Sequence, residues 1–419
     1  MIDENADGTE IINKGWMVTF AGLGINLALG VLYSWSVISD AIEKAGWGWE
    51  QFDLNLPYSV ACLAFCLIMV PAGRMQDKMS PRLVATIDGL LVGAGMILAS
   101  FFTSVSMYVI GFGILTGAGI GFGYASATPP AVKWFSKAKT GLIAGLVVSG
   151  FGLASVYAAP LAGYLAKNFS LKTMMMSFGI GFLILVGILA QFLIPPPKGF
   201  RADKAPEPGS AAAAVKEDFS PGEMLKTWQY YLLWFMYACG AGAGLMIISV
   251  AKKINSAAEV GIVAVVALAI GNGGGRILAG MLSDKMGRKM TMFMFFVLQA
   301  AAIGILAFVT GSDAPNAVLL IIISAVVGAN YGSNLALFPS ITKDYFGLKN
   351  FGMNYGLVFT AWGIGGFILA QFAGKVYDRT QSFTFAFYTS IVLLIVAGIM
   401  VFVVRPPHHT AEAAEPVPE

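Results

Sequence analysis

Gly73-Arg74-Met75-Gln76-Asp77-Lys78-Met79-Ser80-Pro81-Arg82 is a polar stretch set between two long apolar runs. About 207 residues later, Gly280-Met281-Leu282-Ser283-Asp284-Lys285-Met286-Gly287-Arg288-Lys289 repeats it. The glycine, the Asp-Lys-Met triplet and the final base keep their spacing in both copies. A second pair recurs nearly in step: Pro130…Trp134-Phe135…Gly141…Gly145…Gly152 and Pro339…Tyr345-Phe346…Gly352…Gly356…Gly363. Ordinary loop charge explains one polar stretch, but poorly explains two at matching places. Two coincident repeats point to a duplicated architecture.

The surroundings show what was duplicated. The chain has 419 residues, 57% hydrophobic and only 12% charged. A soluble protein carries roughly 25% charged residues. A membrane span needs about 20 apolar residues, so this length supplies about a dozen. Apolar runs between charged breaks predict twelve spans, at 15–42, 54–72, 83–103, 106–129, 139–165, 170–194, 229–251, 258–282, 289–310, 314–342, 350–376 and 380–404. The 50 glycines suit helices that approach closely in lipid. The expected fold is an all-α membrane protein, its twelve transmembrane helices in two pseudo-symmetric six-helix bundles. The first bundle is expected over 1–194 and the second over 229–405. Residues 195–228 read as a flexible cytoplasmic linker with a short interfacial helix after Ser220, and 406–419 as a disordered cytoplasmic tail.

Eighteen of the 26 lysines and arginines fall on one set of loops and seven on the other, with Arg276 alone inside a span. That bias predicts cytoplasmic termini in an inner or plasma membrane. The opening MIDENADGTEIINK is acidic and polar, unlike a signal peptide. A net charge of +3 without basic blocks argues against nucleic acid as a partner. Cys62, Cys66 and Cys239 lie in apolar runs and read as small buried hydrophobes, with no ligand cluster for a metal. His408 and His409 fall in the tail, and there is no Walker loop. Neither an enzyme, a primary pump nor a cofactor is expected. A membrane sensor on such a scaffold would usually need a signalling appendage, which the lead and the linker do not offer.

Span 8 reads Gly271-Asn272-Gly273-Gly274-Gly275-Arg276-Ile277 at its middle. Arginine near mid-membrane costs at least roughly 2.5–3.5 kcal/mol, so it needs a reason. Snorkelling toward the end of the span is one reading, and a buried ion pair is another. Asp88 in span 3, the other charge well inside a span, reads as a structural partner near the cytoplasmic side. The third reading gives Arg276 a substrate carboxylate, whose two oxygens match the guanidinium fork. Asn272 lies one turn earlier on the same face, and the three glycines between leave room for a ligand or a helix. Asn26, Asn330 and Asn334 read as groups that hydrogen-bond one helix to another.

The pattern G-x-x-x-D-(R/K)-x-G-R-(R/K) after spans 2 and 8 resembles the signature loop of the major facilitator superfamily. Its structural residues here are Gly73, Asp77, Arg82, Gly280, Asp284 and Arg288, which can bridge helix ends across the cytoplasmic face. The first copy departs from the pattern with Ser80-Pro81 where glycine is usual. A narrower resemblance is to the monocarboxylate transporters, together with the bacterial oxalate–formate exchangers. It is carried by Lys14-Gly15-Trp16, Gly30-Val31-Leu32-Tyr33-Ser34-Trp35, Gly121-Phe122-Gly123-Tyr124, Asn272 through Arg276, and Ala336-Leu337-Phe338-Pro339-Ser340 through Asn354-Tyr355-Gly356. These run in order along nearly the whole chain.

The resemblance implies alternating-access transport of a small monocarboxylate of the lactate or pyruvate class, coupled to a proton. Anion exchange of the oxalate–formate kind is the alternative. Its partners would be the monocarboxylate anion, a proton and the lipid bilayer, with no oligomer required. Spans 4, 10 and 11 line the central cavity in that superfamily. Tyr124, Tyr331, Phe359 and Trp362 therefore join Arg276 and Asn272 as substrate-contact candidates, with Leu29 and Leu146 as the apolar wall. Two departures bear on substrate and coupling. The oxalate exchangers have a lysine where this chain has Trp362, which leaves one cation for a monoanion. Mammalian carriers have an acid at the place of Asn272 and a lysine at that of Val37, so the sequence names no proton carrier.

Overall fold

Each apolar run becomes a helix long enough to cross a bilayer. The computed structural model describes residues 2–4, 10–136, 139–197, 200, 218–312, 315–347 and 349–407. Among them are twelve spans: Gly15–Lys44, Gln51–Gln76, Pro81–Ser100, Val105–Val132, Leu142–Asn168, Leu171–Ala190, Trp228–Ile254, Gly261–Met286, Arg288–Thr310, Ala317–Phe346, Phe351–Thr380 and Thr384–Val403. They are numbered 1 to 12 in that order, and their ends agree with the predicted ones to about a helical turn. Most of the linker and the tail from 408 lie outside the described residues. The linker's end is described. A Ser220 capping box starts the short helix Pro221–Met224, as expected. One feature departs from an all-α reading: a short antiparallel ladder pairs Ile2–Glu4 with Glu10–Ile12 before span 1.

The outer surface is apolar. Phe308, Ile277, Ile399, Val392 and Ile184 all point outward. Lipid accepts such a surface, and helices satisfy every backbone group internally, as a bilayer requires. Three spans are irregular. Span 1 tightens into a 3-10 turn over Gly30–Ser34, span 4 carries a π-helical stretch over Val109–Thr116, and span 5 breaks at Ala154. Such departures re-aim side chains and are frequent at functional sites.

The halves meet along two matching seams. Span 2 packs on span 11, and span 5 on span 8. In the repeat, Gly152 and Gly363 take equivalent places in these seams. Gly152 abuts Asn272 and Arg276, while a Cβ at Gly363 would fall 2.2 Å from the Cys66 sulfur. Asn55 donates to the Ala370 carbonyl, and Gln371 donates to Ser59, across the span 2–span 11 seam. That seam is tight at Gly374, where a Cβ would lie 2.9 Å from Phe52 Cα, and eases to 3.4 Å from Val70 at Gly356.

The end holding Gly374 is here called the upper end, and the end holding the loops after spans 2 and 8 the lower end. Ion pairs tie the halves at the upper end: Asp40 to Lys252 at 2.5 Å and Glu43 to Lys253 at 2.8 Å. There too the Asp378 carboxylate accepts from the backbone N–H groups of Gln51 and Phe52, at 2.7 and 2.9 Å. It caps the start of span 2 from the other half. At the lower end the second loop copy forms a cluster. Arg288 donates to Ser283, to Asp284 at 2.8 Å and to Asp344 of span 10 at 3.2 Å. Gly287 turns with φ 84°, a conformation that disfavours other residues. Its counterpart Ser80 is extended and Pro81 opens span 3, so the two copies turn differently. Pro81 also stands where Arg288 stands, so the first copy has no equivalent of its guanidinium. The side chain of Asp77 lies outside the described residues. A Cβ at Gly73 or Gly280 would meet open space.

Candidate functional site

Glycine mounts the central arginine. Spans 8 and 10 touch backbone to backbone. A Cβ at Gly271 would fall 2.0 Å from the Ala325 carbonyl oxygen, and one at Gly275 would fall 2.1 Å from that of Ala329. From the other side, Gly328 and Gly332 stand equally close to the carbonyls of Leu268 and Asn272. With the glycine face spent on span 10, Arg276 projects toward span 5. Its Nη1 donates to the Val148 carbonyl at 2.9 Å, across the boundary between the halves.

Arg276 is buried, 8% exposed. Its Nε donates to Asn272 Oδ1 at 3.1 Å, which orients the carboxamide. That leaves two buried donors, Arg276 Nη2 and Asn272 Nδ2, with no hydrogen-bond partner. An unmet buried donor costs about 1–3 kcal/mol, more when charged. Among the described residues no acid forms a salt bridge with Arg276, and its head group reaches into the other half instead of toward the span's end. Of the readings open from the sequence, pairing with an acid and snorkelling both lack the contacts they need. Asp88 is fully buried without a hydrogen-bond partner, so the expected structural pairing is absent among the described residues.

Beside the guanidinium lies a tight cleft, too narrow as it stands to hold a water, lined by Tyr33, Phe65, Tyr124, Phe151, Arg276, Leu335, Phe359 and Trp362. Its walls are aromatic. Phe359 stacks on Trp362 with ring centres 5.1 Å apart and on Tyr124 at 6.1 Å. Tyr33 meets Phe151 edge-on at 4.9 Å. The Tyr124 hydroxyl turns toward the guanidinium. Behind this wall Tyr331 joins the halves: its hydroxyl is 2.6 Å from that of Tyr33 and accepts from Trp362 Nε1 at 2.8 Å. One fixed charge in an apolar box suits a small ligand with a single anionic group and a short apolar body.

The structure therefore brings Arg276, Tyr124, Phe359 and Trp362 together around one cavity, with Asn272 and Tyr331 bonded to that group. It places the two expected wall leucines elsewhere. Leu29 is buried against Gly123, and Leu146 is half-buried outside the lining. Tyr33, Phe65, Phe151 and Leu335 were missed. Tyr33 lies in the quoted Gly30–Trp35 motif, buried within the 3-10 turn there. Phe65, Phe151 and Leu335 are apolar residues in apolar runs and carry no signal. Asn26, Asn330 and Asn334 each donate back to a carbonyl of their own helix and do not bridge helices with those amides.

The family model described as Major Facilitator Superfamily matches residues 15–251 and 233–418. A protein of Escherichia coli (strain K12) named "Uncharacterized MFS-type transporter YhjX" is 28% identical over 363 residues, covering 84% of this chain and 85% of that one. The oxalate:formate antiporter of Oxalobacter formigenes is 29% identical, covering 85% and 84%. Human monocarboxylate transporter 12 is 25% identical, covering 77% and 67%. A bacterial homolog of the human lysosomal transporter Spinster, solved inward-facing and unoccupied, shares the fold. Its TM-score is 0.69 at 12% identity, covering 93% of this chain and 97% of that one.

Proposed function

The chain belongs to the Major Facilitator Superfamily, and from that premise we propose that it is a secondary transporter of small monocarboxylates of lactate or pyruvate size, taking up anion and proton together by alternating access. The observation that carries this reading is the pair of unpartnered donors on Arg276 and Asn272 beside an aromatic cavity. A carboxylate would supply the missing acceptors and neutralise the charge, through charge-assisted bonds worth about 1.5–3 kcal/mol each. Trp362 supports a monoanion, since its indole is bound to Tyr331 and adds no second cation. The names of the relatives in humans and Oxalobacter formigenes support a carboxylate substrate.

Proton coupling follows from charge balance. One anion moving with one proton is electroneutral, and escapes the roughly 2.3 kcal/mol per 100 mV that a lone charge meets. In this reading the lower end faces the cytoplasm of an inner or plasma membrane, as the lysine and arginine bias indicates. The similarity to an antiporter favours a second reading, carboxylate exchange. Proteoliposomes separate the two. Symport predicts that an inward proton gradient drives accumulation of radiolabelled L-lactate or pyruvate into vesicles holding no anion. Uptake that ignores the gradient and requires internal anion would replace symport with exchange.

A further inference from the structure

Asp88 is, beside Arg276, the other charged residue well inside a span, and the cavity does not use it. Span 3 wedges it against bare backbone. A Cβ at Gly123 of span 4 would fall 2.1 Å from Asp88 Oδ2 and 2.6 Å from a methyl of Leu29 on span 1. One turn earlier Gly119 abuts the Asp88 carbonyl, and on the span 6 side Gly89 meets Val186. Asp88 is 0% exposed, and neither carboxyl oxygen has a hydrogen-bond partner. Among the described residues no charged or titratable side chain on spans 1, 2, 4 or 6 interacts with the carboxyl. Tyr124, the residue after Gly123, turns to Arg276 instead. Adjacent residues of one helical turn thus touch the acid and face the base.

An ionised carboxylate so enclosed, without one donor, would cost a large part of a protein's whole stability. A neutral carboxylic acid fits the same surroundings. We propose that Asp88 is the proton-binding group of the transport cycle. The proposal rests on the symport reading and names the group that reading lacks. The step is simple: a carboxylate oxygen takes a proton from water when spans 1, 3 and 4 admit it on one side, and returns it to water on the other. No other bond changes.

The two buried groups then set the coupling by charge alone. With Asp88 protonated and an anion on Arg276, the membrane interior carries no net charge. With Asp88 ionised and the anion gone, it again carries none. Either half-loaded carrier leaves one charge uncompensated in low dielectric, so it crosses poorly. Anion and proton need not touch to travel together.

The test is Asp88→Asn, which keeps shape and removes titration. Parental and variant protein are reconstituted, with a pH-sensitive dye inside the vesicles. Two readings are taken: exchange of radiolabelled L-lactate against internal unlabelled lactate at equal pH, and accumulation driven by an inward proton gradient. The variant is expected to keep exchange, because its fixed neutral amide mimics the loaded carrier. It should lose gradient-driven accumulation by about tenfold or more, and lose the accompanying lumen acidification. A variant that still accumulates lactate and acidifies the lumen would overturn the assignment while leaving symport standing. A variant that loses exchange as well would make Asp88 structural and overturn it equally. A parental protein that shows neither gradient response nor acidification would instead remove the symport reading beneath it.

Discussion

A guanidinium is fixed in charge and flat in shape, and Arg276 is held by both properties. One nitrogen binds the neighbouring carboxamide, one binds a carbonyl of the opposite half, and one is left over. An ammonium is a point charge on one atom and cannot reproduce that rigid, planar fork of separated donors. Arg276→Lys should therefore lose at least about tenfold in affinity although its charge is kept, and Arg276→Ala should lose binding outright. Substrate-dependent stabilisation in a thermal melt of purified protein reads both. Near-parental stabilisation of Arg276→Ala would make Arg276 a structural charge. This residue and Asn272 were legible because a base inside an apolar run has no ordinary explanation. Phe65 and Phe151 were not, since they look like any apolar residue of a span. Leu29 was misplaced because hydropathy gives depth in the membrane but not the face on which a side chain lies.

Spans are the most legible element, because bilayer thickness fixes their length and lipid fixes their composition. Their irregularities were not legible. Nothing in Gly30–Ser34 distinguishes a 3-10 turn from continued helix until Gly30 is seen against the Phe151 carbonyl, 2.3 Å from where its Cβ would be. The glycine contact of spans 8 and 10 likewise needs both partners in view. It makes a clean prediction. Gly275→Val would set a side chain 2.1 Å from the Ala329 carbonyl oxygen and force the helices apart. The cost should be about 1–3 kcal/mol, read as a lower melting temperature with loss of transport. Gly280→Ala, which meets open space on the same helix, should leave both unchanged. Equal effects from the two would show that close approach is not what the glycines provide.

At the scale of the molecule the repeat announced two halves, and the structure joins them by paired seams. The upper ion pairs were hidden, because Asp40 and Glu43 lie some 210 residues from their lysines. The more exposed pair, Glu43–Lys253, is worth about 0.2–1 kcal/mol, enough to bias an opening without locking it. Lys253→Glu sets two acids together at Glu43, and should open the upper end more often. The buried thiols Cys62 and Cys66, packed on span 11, then react faster with a membrane-impermeant maleimide from that side, by up to about fivefold. Adding Glu43→Lys should restore slow labelling. Labelling unchanged by either substitution would mean that these charges take no part in holding the upper end shut.

The contact between spans 8 and 10 also has a mechanical side. Two helices whose backbones touch bend together as a single beam, far stiffer than two helices cushioned by long side chains. Arg276 rides on that beam near its midpoint, where a tilt of the whole moves it least. A tilt of the half that carries it would thus turn the guanidinium from one end of the molecule toward the other with hardly any displacement.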